Sequence, residues 1–121
     1  MVEGVSEKAF YGEDAFLSPL NYSSRALEAS CVVKTGDGIL FGFTVSNTNA
    51  AARFVMVYDR ATVPGNGAVP IVAKSVPLGD AVGFNWLPGR TFFAGIVIVN
   101  STTQGSLTLG SADQLFDVQY L

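Results

Sequence analysis

The stretch that decides the fold class is Ile39-Leu40-Phe41-Gly42-Phe43-Thr44-Val45-Ser46-Asn47. Successive side chains of a strand point to opposite faces, so this run predicts a strand with Ile39, Phe41, Phe43 and Val45 on one face and Leu40, Gly42, Thr44 and Ser46 on the other. The same pattern recurs outward at intervals of about ten residues. Upstream, Leu27 to Lys34 alternates and runs into Thr35-Gly36-Asp37-Gly38, a hairpin turn whose glycines accept positive φ. Downstream, strands are expected at Arg53 to Asp59, Ile71 to Val76, Val82 to Trp86, Thr91 to Asn100, Ser106 to Leu109 and Gln114 to Tyr120. Loop residues such as Pro64-Gly65-Asn66-Gly67, Leu78-Gly79-Asp80 and Pro88-Gly89 divide them. About eight short antiparallel strands in one small domain predict an all-β protein, an antiparallel β-sandwich of jelly-roll type or a small barrel, over residues 27–121. Residues 1–26 keep neither a period of 2 nor one of 3.6. They carry the isolated apolar residues Phe10, Tyr11, Phe16, Leu17 and Tyr22 and read as an extended N-terminal arm or an early short helix.

Composition removes most chemistry. Only 14% of the 121 residues are charged, against roughly 25% in a typical soluble domain, whereas 49% are hydrophobic. Histidine is absent and Cys31 is the single cysteine, which excludes an intrachain disulfide, a Cys–His nucleophile pair and a Ser–His–Asp triad. The net charge of −3 gives nucleic acid little to bind. No apolar run approaches the roughly 20 residues of a spanning helix, and Met1 to Phe10 lacks the apolar stretch of a secretory signal, so no membrane partner is expected. Charge is also unevenly placed. Glu3, Glu7, Glu13, Asp14 and Glu28 outweigh Lys8 and Arg25, while acids and bases balance from residue 29 onward.

Two runs break the rule of one wet face. Phe54-Val55-Met56-Val57-Tyr58 and Phe92 to Val99 are apolar at both parities, so each offers a second hydrophobic row that something must cover. The cover is either the chain's own loops or arm, or a second copy of the protein. The shortage of charge favours the second copy, with Val55, Val57, Val97 and Val99, or their opposite-parity neighbours, as the subunit interface and Arg53 and Arg90 beside it.

Few residues suggest a chemical site. Gly36-Asp37-Gly38 precedes a strand and not a helix, so it is a turn rather than a phosphate loop. Asp113 reads as a turn cap and Asp117 as a solvated or arginine-paired side chain, with no catalytic pair between them. Arg53, Asp59, Arg60 and Arg90 sit at strand ends, where ion pairs that fix registry are expected. Asn85 and Trp86, near Arg90, form a possible sugar-binding loop, and Cys31 is expected to be a small buried apolar residue. No cofactor or metal site is expected.

Gly38 to Asn49 (GILFGFTVSNTN), Ala50 to Ala61 (AAARFVMVYDRA), Val69-Pro70, Pro88-Gly89-Arg90 and Ala112 to Tyr120 (ADQLFDVQY) together resemble a small β-domain found among structural proteins of tailed bacteriophages. The resemblance spans roughly residues 30–121. It implies a virion component, best matched by a capsid decoration (cement) protein on the outer capsid surface, made in the host cytoplasm. The implied partners are other copies of itself, with a trimer favoured, and the major capsid protein. Residues 1–26 lie outside the resemblance, and a capsid-contacting arm carrying Phe10, Tyr11, Phe16, Leu17 and Tyr22 is expected there. A carbohydrate- or receptor-binding module of a tail fibre or tail tip is the alternative.

Overall fold

The computed structural model describes residues 18–121, and the arm residues Phe10, Tyr11, Phe16 and Leu17 lie outside the described residues. The chain forms β1 (Leu20–Ser23), β2 (Ser30–Thr35), β3 (Gly38–Asn47), β4 (Arg53–Asp59), β5 (Val72–Val76), β6 (Ala81–Phe92), β7 (Gly95–Ser101) and β8 (Gln114–Tyr120). These build two four-stranded antiparallel sheets, one in the order β1-β8-β3-β6 and the other β2-β7-β4-β5. Apart from β4 to β5, every connection between successive strands passes from one sheet to the other.

The main core lies between the sheets. Cys31, Val33, Val55, Val57, Ile96 and Ile98 from one sheet meet Leu40, Phe43, Val45, Phe116 and Val118 from the other. Each aliphatic or aromatic side chain buried here stabilises the fold by roughly 1.5–3 kcal/mol relative to exposure.

A second apolar layer lies on the outer side of the β2-β7-β4-β5 sheet. Met56 and Tyr58 of β4 stand opposite Val99 and Val97 of β7, and the layer is completed by Leu107, with Phe54, Val63 and Ala68 packed against it. The cover is made by the chain itself. The loop of residues 60–71 and the segment of residues 102–110 hydrogen-bond to each other above the sheet, Gly67 N to Leu107 O at 2.7 Å and Leu107 N to Ala68 O at 2.9 Å. The Tyr58 hydroxyl donates to Ala68 O at 2.9 Å and the Leu109 amide donates to Asn66 Oδ1 at 2.9 Å. The expected subunit interface is corrected accordingly. Val55 and Val57 face the main core, Val97 and Val99 lie beneath Leu107, and all four are buried within one chain, leaving no such row for a second copy.

Several further expectations change. Tyr22 belongs to β1, which pairs with β8 from Leu20↔Tyr120 to Ser23↔Asp117, so the sandwich begins before Leu27 and Tyr22 is a sandwich residue and not an arm residue. The turn at residues 35–38, with Gly36 at φ 80°, joins strands of different sheets instead of making a hairpin. In β3 the register shifts between Leu40 and Gly42, which reverses the faces upstream: Leu40, Phe43 and Val45 are buried while Ile39 and Phe41 turn outward. Pro88-Gly89 does not end a strand. The chain runs on through a cis Leu87–Pro88 bond in β6, an edge strand, where proline's missing N–H costs no ladder bond. The expected strand at Ser106 to Leu109 is a single bridge, Ser101↔Leu109.

Candidate interaction surface

With both sheets covered on their apolar sides, Leu87 and Phe93, the two most exposed large apolar side chains among the described residues, mark the candidate site. β6 ends at Phe92 and β7 begins at Gly95, leaving Phe93 and Ala94 as the tip between the sheets. Asp59, the last residue of β4, holds that tip. Its Oδ1 accepts from the amides of Ala94 at 2.7 Å, Phe93 at 3.1 Å and Gly95 at 3.3 Å, and its Oδ2 from Phe93 at 3.1 Å. Partial burial pulls the Asp59 carboxyl upward, but the three amides outweigh it and hold the group below its ordinary value. Gly95 takes φ 157°, and a side chain there would press into the carbonyls of Arg60 and Lys34. The tip is thus fixed from both ends, and its Phe93 side chain is 74% exposed.

Beside Phe93 lies a depression of about 340 Å³ lined by Lys34, Asp37, Ile39, Thr91, Phe92 and Leu121. A second, of about 370 Å³, is lined by Pro19, Phe41, Asn85, Trp86, Leu87 and Gln119. Gly89 links them, because it packs so closely on Ile39 and Phe41 that a Cβ would come within 2.6 Å of Ile39 Cγ2 and 3.1 Å of Phe41 Cε1. Phe93 and the 95% exposed Leu87, with the half-buried Ile39 and Phe41 between them, therefore form an apolar stripe at one end of the β1-β8-β3-β6 sheet.

The structure brings Asn85 and Trp86 to this stripe but does not free the indole. Trp86 stacks on Phe84 with ring centroids 5.2 Å apart, both pack against Phe43, and Lys74 Nζ lies 4.7 Å above the Phe84 ring. Trp86 is half-buried, packed against the main core on one side and lining the depression on the other. Among the described residues, the expected ion pairs at Asp59 and Arg53 give way to backbone contacts: Asp59 serves the tip, and Arg53 donates from Nη1 to Ala52 O at 3.0 Å while its buried Nε finds no partner there. Arg90 stands in β6 opposite Leu40.

Two polar clusters were partly legible. Asp113 is more than a turn cap. Its carboxylate accepts from the amide groups of Asn49 at 2.6 Å, Gln114 at 2.7 Å and Asn100 at 3.1 Å, and Gln114 Nε2 also reaches Asn47 Oδ1 at 2.7 Å. Amide N–H groups converging on one carboxylate suit an anion and oppose a bound cation, so this is a structural lock between β3, β7 and β8. Among the described residues no cluster of three His, Cys, Asp or Glu could hold a metal. Asp117 lies on the exposed sheet face, where it accepts from Ser23 at 2.9 Å and joins Gln119 and Asn21 in a polar row.

Near the other sheet edge, the Tyr22 hydroxyl donates to both carboxylate oxygens of Glu28 at 2.8 and 2.9 Å. Cys31 is buried as expected, and burial, aided by the Glu28 charge, pushes its thiol up to about 12. Such a thiol is not a nucleophile. Comparison with family models, curated proteins and solved structures finds no match to this chain.

Proposed function

We propose that this protein is a structural subunit of a tailed-bacteriophage virion, a capsid decoration protein that binds the outer capsid surface, contacts the major capsid protein and stabilises the particle as a homo-oligomer. The observation that carries this reading is the stripe of Phe93, Ile39, Phe41 and Leu87: one chain completes two apolar layers and still presents an apolar strip. Exposed strips of this kind mark protein interaction sites. The order β1-β8-β3-β6 facing β2-β7-β4-β5 supports reading the sandwich as a jelly roll, in which a folded ribbon pairing first strand with last is wound into two sheets. Jelly rolls serve in viral capsid and lectin domains. The resemblance over residues 30–121 supports the virion reading and favours a trimer. The absence of histidine and the suppressed thiol of Cys31 support a role without catalysis, cofactor or metal.

Mixing the purified protein with capsids that lack it, then sedimenting the particles, tests this function. Saturable co-sedimentation supports it; protein left in the supernatant at micromolar concentration overturns it. The polar row of Asn21, Asp117 and Gln119 beside Asn85 and Trp86 favours a second reading, a carbohydrate-binding module of a tail fibre or tip. A specific glycan-array signal lost in Asn85→Ala would favour that reading over decoration.

A further inference from the structure

We propose that Asn66-Gly67 is a covalent modification site, at which the asparagine side chain condenses with the next backbone nitrogen, loses ammonia and is hydrolysed to an isoaspartyl link that loosens the cover of the outer apolar layer. This holds whatever the protein binds. Asn66 alone among the chain's asparagines precedes a glycine, so no Cβ on the following residue shields the attacking nitrogen. Both residues are exposed, and nothing lies within 4 Å of where a Gly67 Cβ would stand, so water reaches the site.

The turn from Gly65 to Ala68 is closed by Ala68 N to Gly65 O at 3.3 Å, with Gly67 at φ 93°. The two groups that react are the ones that tie it to the segment of residues 102–110. Gly67 N donates to Leu107 O at 2.7 Å, and Asn66 Oδ1 accepts from the Leu109 amide at 2.9 Å. Ring closure forms a bond from Gly67 N to Asn66 Cγ and breaks Cγ–Nδ2, and the ammonia released carries off the Gly67 amide proton. The cyclic imide has no N–H left for Leu107 O. Closure therefore waits for the loop and the segment to part, a local opening of the cover. Water then cleaves the imide. Attack at Cγ leaves an aspartate that still accepts from Leu109, whereas attack at the main-chain carbonyl leaves an isoaspartate, its backbone routed through Cβ and Cγ and longer by a methylene carbon. The longer link moves the Gly67 amide out of register with Leu107 O, and Leu107 is the side chain buried over Met56, Tyr58, Val97 and Val99.

Peptide mapping by mass spectrometry, with fragmentation that separates aspartate from isoaspartate, tests this on the full chain incubated at neutral pH. In the urea-unfolded chain Asn66 is expected to convert ahead of every other asparagine, and in the native protein at least about tenfold more slowly, as a reaction gated by local opening requires. Leu107→Ala, which weakens the cover, should narrow that gap. Native protein that has gained isoaspartate should show faster hydrogen exchange at the Gly67 and Leu107 amides, while Asn66→Asp, which keeps a normal main chain and an acceptor for Leu109, should exchange like fresh wild type. Another asparagine converting first in urea, equal rates in native and unfolded chain, a folded Leu107→Ala protein as slow as wild type, or isoaspartyl protein whose Gly67 and Leu107 amides exchange like those of fresh protein overturns the proposal.

Discussion

Both carboxylate oxygens of Asp59 lie 3.1 Å from the amide nitrogen of Phe93, so the end of β4 fixes the backbone of an aromatic residue whose side chain is largely exposed on the β6–β7 connection. This one relationship joins packing to the proposed use of the surface. Hydrogen bonds to a charged acceptor contribute about 1.5–3 kcal/mol, and Asp59→Ala removes several that are not independent. We expect a loss of roughly 2–3 kcal/mol in urea unfolding, with faster amide exchange at Ala94 and Gly95. Unchanged exchange at both amides would show that the tip is held by something else.

The same carboxylate gives an acid dependence. Its pKa is lowered from 3.8 in the folded state, so its contribution is fully present above that value and is lost as pH falls through the lower folded pKa. Amide exchange at Ala94 and Gly95, corrected for intrinsic rates, should therefore rise relative to the rest of β7 only in strong acid.

At the alkaline end the sign is reversed. Cys31 rises from 9.0 to about 12, and burial with the Glu28 hydrogen bond raises Tyr22 as well. Their contribution is intact below their ordinary pKa values and declines as pH climbs through the folded ones. Stability should fall from about pH 9 upward, and Cys31 should resist alkylation at pH 8 until urea unfolds the chain. Rapid labelling of the native protein would contradict the buried placement.

Leu107 is the keystone of the outer layer, buried over Met56, Tyr58, Val97 and Val99. Leu107→Ala should cost about 2–5 kcal/mol and expose a surface that binds a hydrophobic dye. If the variant keeps wild-type stability, the loops of residues 60–71 and 102–110 are not the cover described above.

Asp113→Ala would leave the amides of Asn49, Asn100 and Gln114 without their shared acceptor. Asn100 and Gln114 keep second acceptors in Ser111 O and Asn47 Oδ1, so chemical denaturation should register a loss of roughly 1–3 kcal/mol in total. Added calcium should not restore it, because the converging groups are donors.

Much of the fold was readable because local pattern and long-range pairing agree. Arg53 to Asp59 and Gln114 to Tyr120 appear as β4 and β8 at the expected limits. Elsewhere a partner strand decided the outcome. Leu20 to Ser23 is too short to stand out, and becomes a strand only by pairing with β8 at the far end of the chain. Nothing in Phe41 distinguishes it from Phe43, so the bulge that turns one outward and the other inward carries no sequence signal. The two-faced strands correctly signalled a second cover. Its source was hidden because Leu107 sits in a polar, turn-rich segment, Ser101 to Gly110, that shows no apolar run. Phe93 was overlooked within an apparently continuous run from Thr91 to Asn100, where Gly95 was the only mark of the break.

The proposed role of this protein is that of a capsid decoration subunit. Imaging of whole particles with labelled protein tests it most directly: the account predicts many copies spread over the capsid shell, and a few copies confined to the tail would contradict it.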